Sequence, residues 1–206
     1  MGRLLIRYKY ICIIIVVLIA GTSGFLLYPN FHTVIPDQVY RSAQLNKTQF
    51  GNYIEQHQIK SIVNLRGQSN DDSWYIDELQ VSQDSNVKHY DLDLPASGIT
   101  SPDYMRTLAQ IILTSPKPLL IHCWRGADRT GLASAMSLIL LQDASLADAE
   151  AQISWEYGAV ASDTIGKEEF HYYKLWLANN HLPSSRENFM RWLAQLQAGA
   201  DYPYQK

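Results

Sequence analysis

A chain of 206 residues that is 47% hydrophobic and 18% charged has the makeup of a globular protein with a full core, and excludes a disordered or fibrous polymer. Its formal charge is −3, and setting aside three cations near the N-terminus leaves about −6 for the rest, which argues against nucleic acid as a partner. Two cysteines, Cys12 and Cys123, cannot build a disulfide framework.

Residues 1–10 carry Arg3, Arg7 and Lys9 with no acid, and residues 11–28 carry no charge. A stretch of that length can just cross a bilayer, and its basic flank keeps the N-terminus cytoplasmic, so residues 1–28 read as a membrane anchor. A cleaved signal peptide is the rival reading, with Gly21-Thr22-Ser23-Gly24 as the small-residue site. The absence of an Ala-x-Ala site favours the uncleaved, single-pass form. Either way the rest of the chain is exported, and Cys123 is its solitary thiol. Residues 29–38 read as a linker, and 39–206 as one domain.

Within that domain, helical patterns over 48–57, 73–83 and 102–113 alternate with strand-like runs over 61–65, 87–92 and 119–122. Such alternation predicts an α/β layer fold. Ser101-Pro102-Asp103 supplies a cap, a first-turn proline and an acid to the third helix. A small-residue apolar helix follows over 132–141, then helices over 145–155, 165–178 and 184–198, the last with a capping box from Ser184 and Glu187. The tryptophans and tyrosines of this region read as helix-packing residues.

Between the apolar strand 119–122 and the helix at 132 lies His122-Cys123-Trp124-Arg125-Gly126-Ala127-Asp128-Arg129-Thr130-Gly131. A strand-to-helix turn of this length gathers backbone N–H groups before a helix N-terminus, where unpaired donors and the helix dipole favour an anion. Gly126 allows the positive φ that closes such a ring. His122, Trp124, Arg125, Gly126, Ala127 and Gly131 are therefore the candidate substrate-binding residues. A helix N-terminus and neighbouring cations favour the thiolate form of a cysteine, which makes Cys123 the candidate nucleophile rather than a small core residue. Arg129 offers a planar fork for two equatorial phosphoryl oxygens. Thr130 is expected to donate to the sulfur, and His122 to fix the loop by bonding to backbone. No Walker pattern is present, so a nucleotide P-loop is excluded.

These residues resemble the protein tyrosine phosphatase superfamily signature, His-Cys-x5-Arg-Ser/Thr-Gly, at all its fixed positions. A wider resemblance to compact, dual-specificity-like bacterial exported phosphatases runs from about Val39 through the helices after the loop, including Tyr40-Arg41-Ser42-Ala43-Gln44 and Ile62-Val63-Asn64-Leu65-Arg66. It implies a mostly parallel sheet flanked by helices, and a two-step reaction through phospho-cysteine without metal or organic cofactor. It also implies an aspartic acid that protonates the leaving oxygen. Asp93, in His89-Tyr90-Asp91-Leu92-Asp93-Leu94-Pro95, lies where the superfamily's acid loop stands and is the first choice. Asp128 is the second, because Gly-x-Asp-Arg-Thr resembles myotubularins and some secreted bacterial phosphatases. An ion-pair role for Asp128 stays open, and Asp91 reads as a solvent-facing strand residue.

The resemblance implies a phosphatase for phosphotyrosine, with phosphoserine and phosphothreonine as further candidates. A phosphoinositide or other phospho-small-molecule substrate ranks below it, because Trp124 and Ala127 stand where lipid- and inositol-directed relatives carry lysines. A non-catalytic phospho-binding protein is the reading from a different class. The implied place is the bacterial inner membrane with the domain in the periplasm, or the periplasm itself after cleavage. Arg41 and Arg66 read as structural ion-pairing residues. His57, His89, His171 and His181 have no metal-ligand spacing, so no metal is assigned.

Overall fold

The structure, a computed structural model, describes residues 29–196. The expected membrane segment lies outside them, and among the described residues no helix is long and apolar enough to cross a membrane. The elements run β1 (His32–Ile35), β2 (Val39–Ser42), α1 (Lys47–His57), β3 (Ser61–Asn64), α2 (Ser73–Asp84), β4 (Lys88–Asp91), α3 (Pro102–Thr114), β5 (Leu119–His122), α4 (Asp128–Gln142), α5 (Leu146–Ala151), a 3-10 turn (Trp155–Tyr157), α6 (Ile165–Asn180) and α7 (Arg186–Gln195).

The five strands form one sheet in the order β1-β2-β5-β3-β4. Four are mutually parallel, and β1 joins β2 antiparallel. The α/β fold with a mostly parallel sheet flanked by helices is thus the one expected. Residues 32–35, expected as linker, are instead this edge strand; only Ile35 of the four is buried, so no alternation marked it.

Strand side chains alternate between two cores, as the pleat requires. Tyr40, Ile62 and Leu120 face one side with Phe50 and Ile54 of α1 and Val81 of α2. Val39, Val63, Leu119 and Ile121 face the other, against α3, α4, α6 and α7. Helix α4 is the axis of that larger layer, with every residue from Thr130 to Leu140 buried. A helix hydrophobic all round belongs in an interior.

Helix starts follow their caps. Asn46 and Gln49 make a reciprocal capping box before α1, and Ser101 accepts from the Tyr104 N–H with Pro102 in the first turn of α3. Before α7 the cap is Ser185, which accepts from the Asn188 N–H, one residue beyond the expected Ser184. The expected helix over 145–155 is shorter: α5 ends at Ala151, and the chain turns through the 3-10 segment to Gly158 at φ +87°.

Candidate active site

The parallel strands stop in register. Ser42 and Asn64 both pair with His122, and Asp91 pairs with Asn64, so four strand ends lie in one row. The connections leaving that row meet beyond the carboxyl edge of the sheet, where open α/β sheets bind ligands. Cys123 follows His122 directly and is buried, and α4 begins five residues later.

The loop between them is held from outside by its carbonyls. The Gln44 N–H donates to Trp124 O at 3.1 Å, Asn30 Nδ2 to Arg125 O at 2.9 Å, and Arg41 Nη2 to Gly126 O at 2.8 Å. In a trans peptide the N–H points opposite to the C=O, so three outward carbonyls turn the amides of Arg125, Gly126 and Ala127 inward. Those donors converge at the N-terminus of α4, an arrangement that favours an anion. Gly126 has φ +69°, and a Cβ there would lie 2.6 Å from the backbone N of Ala43 and the carbonyl carbon of Ser42. Only glycine fits both the torsion and the approach to β2.

Charged groups pack around this cradle. Arg41, expected to be ion-paired, is fully buried and donates to carbonyls: Gly126 O, and with Nη1 to Gln152 O at 2.8 Å and Gln152 Oε1 at 2.9 Å. Its guanidinium also lies 3.9 Å from the centre of the Tyr157 ring. Burial lowers its pKa to about 10, partly offset by Tyr157 and Cys123, so it stays a cation at neutral pH. Arg66 likewise makes no ion pair among the described residues; it donates to Gln44 Oε1 at 2.7 Å and lies 3.4 Å from the Trp74 ring and 4.6 Å from the Trp124 ring. The side chain of Trp124 is thereby stacked at the loop's rim.

His122 does not bond to backbone as expected. Its Nε2 lies 2.8 Å from Glu78 Oε1, which is also 2.8 Å from His89 Nε2, while Glu78 Oε2 accepts from Gln44 at 2.9 Å. Burial alone would raise the Glu78 pKa, but His122, His89 and Gln44 outweigh it and hold the carboxyl well below its usual range. Asp91 is not a solvent-facing bystander either: Asn64 Nδ2 donates to one of its oxygens at 2.8 Å and the Tyr75 hydroxyl to the other at 2.6 Å. Asn64 Nδ2 also donates to Gly67 O, fixing the turn after β3.

Arg129 stands in the first turn of α4, half-buried, and its Nη1 donates to Leu65 O at 3.1 Å and Leu94 O at 3.2 Å. One nitrogen of the fork is thus tied to the turns after β3 and β4, which orients the guanidinium. Asp93, one residue before Leu94, is exposed and lies against Gly67, where a Cβ would come within 2.7 Å of its own Cβ. Asp128 opens α4 and is half-buried; burial raises its pKa against the pull of Arg125, Lys167 and Arg129. Thr130 Oγ1 is buried without a hydrogen-bond partner, so the expected bond to the sulfur is not made. Gly131 sits in α4, tight against the Gln152 carbonyl. Of the remaining candidates Ala127 is buried, and Trp124 and Arg125 are exposed.

Beside the loop lies a cavity of about 430 Å³, lined among others by Gln44, Trp124, Arg125, Trp155, Tyr157 and Val160. Sequence reading missed Asn30, Gln44, Glu78 and the part played by Arg41. Glu78 did carry a signal: with Tyr75, Val81 and Ser82 it lies on the buried stripe of α2, where an acid needs a partner. Among the described residues no group of three metal-ligating side chains occurs.

Comparison with known proteins agrees with this fold. A family model described as the tyrosine phosphatase family matches residues 24–147. Among solved structures, the core catalytic domain of the PP-IP phosphatase SIW14 from S. cerevisiae in complex with citrate is 23% identical, with 78% of this chain and 99% of that one covered and a TM-score of 0.53. A variant of P. aeruginosa TpbA in complex with pTyr is 24% identical, covering 73% and 91% with a TM-score of 0.50. Tk-PTP in its active form is 18% identical, covering 70% and 95% with a TM-score of 0.54. At these identities the likeness is one of fold.

Proposed function

This chain belongs to the tyrosine phosphatase family, and within it we propose a cysteine-dependent phosphatase whose substrate is phosphotyrosine in a polypeptide. The observation that carries the reading is the loop held open by Asn30, Arg41 and Gln44, with Cys123 at its start and Arg129 in the first turn of the helix that closes it. The Cys123 thiolate attacks phosphorus in line, and the ester P–O bond breaks with its electron pair going to the leaving oxygen. An aspartic acid protonates that oxygen. Water then attacks the phospho-cysteine, gives its proton to the same carboxylate, and the P–S pair returns to sulfur. The inward amides and the Arg129 guanidinium hold the equatorial oxygens as charge redistributes.

Asp93 is the proposed acid, because Arg129 donates to the carbonyl of the next residue, Leu94, and so ties the Asp93 turn to the phosphate clamp. Asp128 is the second reading, favoured by the burial that raises its pKa. Phosphotyrosine ranks above inositol phosphate because the loop presents Trp124 and Ala127, an indole and a methyl group, where further phosphates would need cations. The placement of residues 11–28 in the bacterial inner membrane, with the domain in the periplasm, belongs to the same proposal; the apparent mass of the cellular protein against the full-length chain tests it.

The decisive experiment is a panel of phosphotyrosine peptides and inositol phosphates given to the full-length chain. Turnover of the peptides, reduced roughly a thousandfold or more in Cys123→Ser, is expected. Faster turnover of inositol phosphates, or none on either class, overturns the reading.

A further inference from the structure

Seven large hydrophobic side chains among the described residues are exposed, and three of them line the cavity beside the signature loop: Trp124 at 59%, Trp155 at 75% and Val160 at 77%. Singly exposed apolar residues are ordinary, but two indoles and a valine around a concavity are the makeup of a binding surface.

This wall is fixed to the phosphate cradle by shared anchors. Asn30 Nδ2 donates to Arg125 O in the loop and to Tyr157 O in the wall, at 2.9 and 3.0 Å. Arg41 bonds Gly126 O while its guanidinium lies against the Tyr157 ring. A substrate whose phosphate enters the loop therefore carries its neighbouring groups across a preformed apolar cleft. Among the described residues that line it, Arg125 is the cation and Glu156 the anion. That balance does not suit the several extra phosphates of a polyphosphorylated sugar, which need surplus cations. A bilayer is also a poor match, because it presents no protruding group to fill a concavity of about 430 Å³.

We propose that this cleft is a specificity subsite for a large apolar side chain flanking the phosphotyrosine of a polypeptide substrate. The proposal rests on the phosphotyrosine reading above and narrows it. Trp155 and Val160 supply the apolar wall, and Trp124 the junction with the phosphate cradle.

The test uses the full-length chain and phosphotyrosine peptides that differ only in one flanking residue, leucine or glycine, placed on either side. On one side the leucine peptide is expected to have a kcat/KM about tenfold higher, expressed in KM, as filling an apolar pocket does. That ratio is expected to fall to near one in Trp155→Ala and in Val160→Asp; being a ratio within each variant, it is independent of how much enzyme folds. Equal turnover of leucine and glycine peptides by the wild type, or a ratio that survives both substitutions, overturns the subsite and leaves the phosphotyrosine reading standing. Hydrolysis of inositol phosphates with no phosphopeptide turnover removes that reading and the subsite with it.

Discussion

Glu78 Oε1 and His122 Nε2 lie 2.8 Å apart with both side chains fully buried, one residue before Cys123. The pair ties α2 to the end of β5, and through Gln44 it also reaches the rim of the loop at Arg66 and Trp124. A buried anion with three hydrogen-bonding partners is a structural commitment, since removing its charge leaves those partners poorly satisfied.

Glu78→Gln should cost about 2 kcal/mol at neutral pH, a fall in Tm of roughly 4 to 8 °C for a domain of this size. The folded-state pKa of Glu78 is below its ordinary 4.5, so its contribution is present above 4.5 and is lost as pH falls through the folded value. The Tm gap between wild type and variant should therefore be widest near pH 7 and narrow below pH 4.5. A gap that is the same in thermal melts at pH 7 and pH 3.5 would contradict the assignment.

Asp128 shows the opposite sign. Its pKa is raised by burial, so ionisation disfavours the folded state, and the cost appears as pH rises from the ordinary 3.8 through the folded value. Asp128→Asn should melt higher than wild type at pH 7 and lose that advantage by pH 3. Melting curves at the two pH values check this.

Removing the true general acid should slow poor leaving groups about a hundred- to ten-thousandfold while sparing activated aryl phosphates. Asp93→Ala is expected to show that dependence on leaving-group pKa and Asp128→Ala is not. Rates over a series of aryl phosphates distinguish them, and the reverse result transfers the role to Asp128.

Gly126→Ala forces a side chain to φ +69° and into the backbone of β2. The strain is about 1 to 3 kcal/mol before the clash is counted, and relief requires the loop to leave Ser42 and Ala43. Phosphate-ester turnover should drop far more than folding does, measured as kcat/KM beside a circular-dichroism melt.

Arg41→Lys keeps the charge but cannot span Gly126 O and both oxygens of Gln152. Each carbonyl left unpaired in the interior costs about 1 to 3 kcal/mol. The variant should melt lower and bind inorganic phosphate more weakly as a competitive inhibitor; unchanged inhibition would mean Arg41 does not shape the loop.

Much of this protein could be read before any coordinates. The alternation of apolar runs marked β3, β5 and helices α1 to α3 to within about two residues, because burying one helical stripe or both strand faces leaves a period in the sequence. Strand β1 left none, since an edge strand with one buried residue has no pattern to show. The roles of Asp91, Arg41 and Arg66 leave no local trace for a related reason: each takes partners far along the chain, Tyr75, Gln152 and Gln44 among them.

The amino-acid order alone determined the chemistry at the loop, because cysteine, glycine and arginine within ten residues are local in the chain and their spacing fixes a turn before a helix. Only the tertiary structure decided what holds that loop open and what lies beside it. The carbonyls of Trp124, Arg125 and Gly126 are turned outward by residues 80 or more positions away, and the apolar cleft joins residues near 30, 124 and 157. Such contacts depend on sheet order and strand register, and a crossover connection brings together side chains whose separation along the chain carries no trace of their meeting.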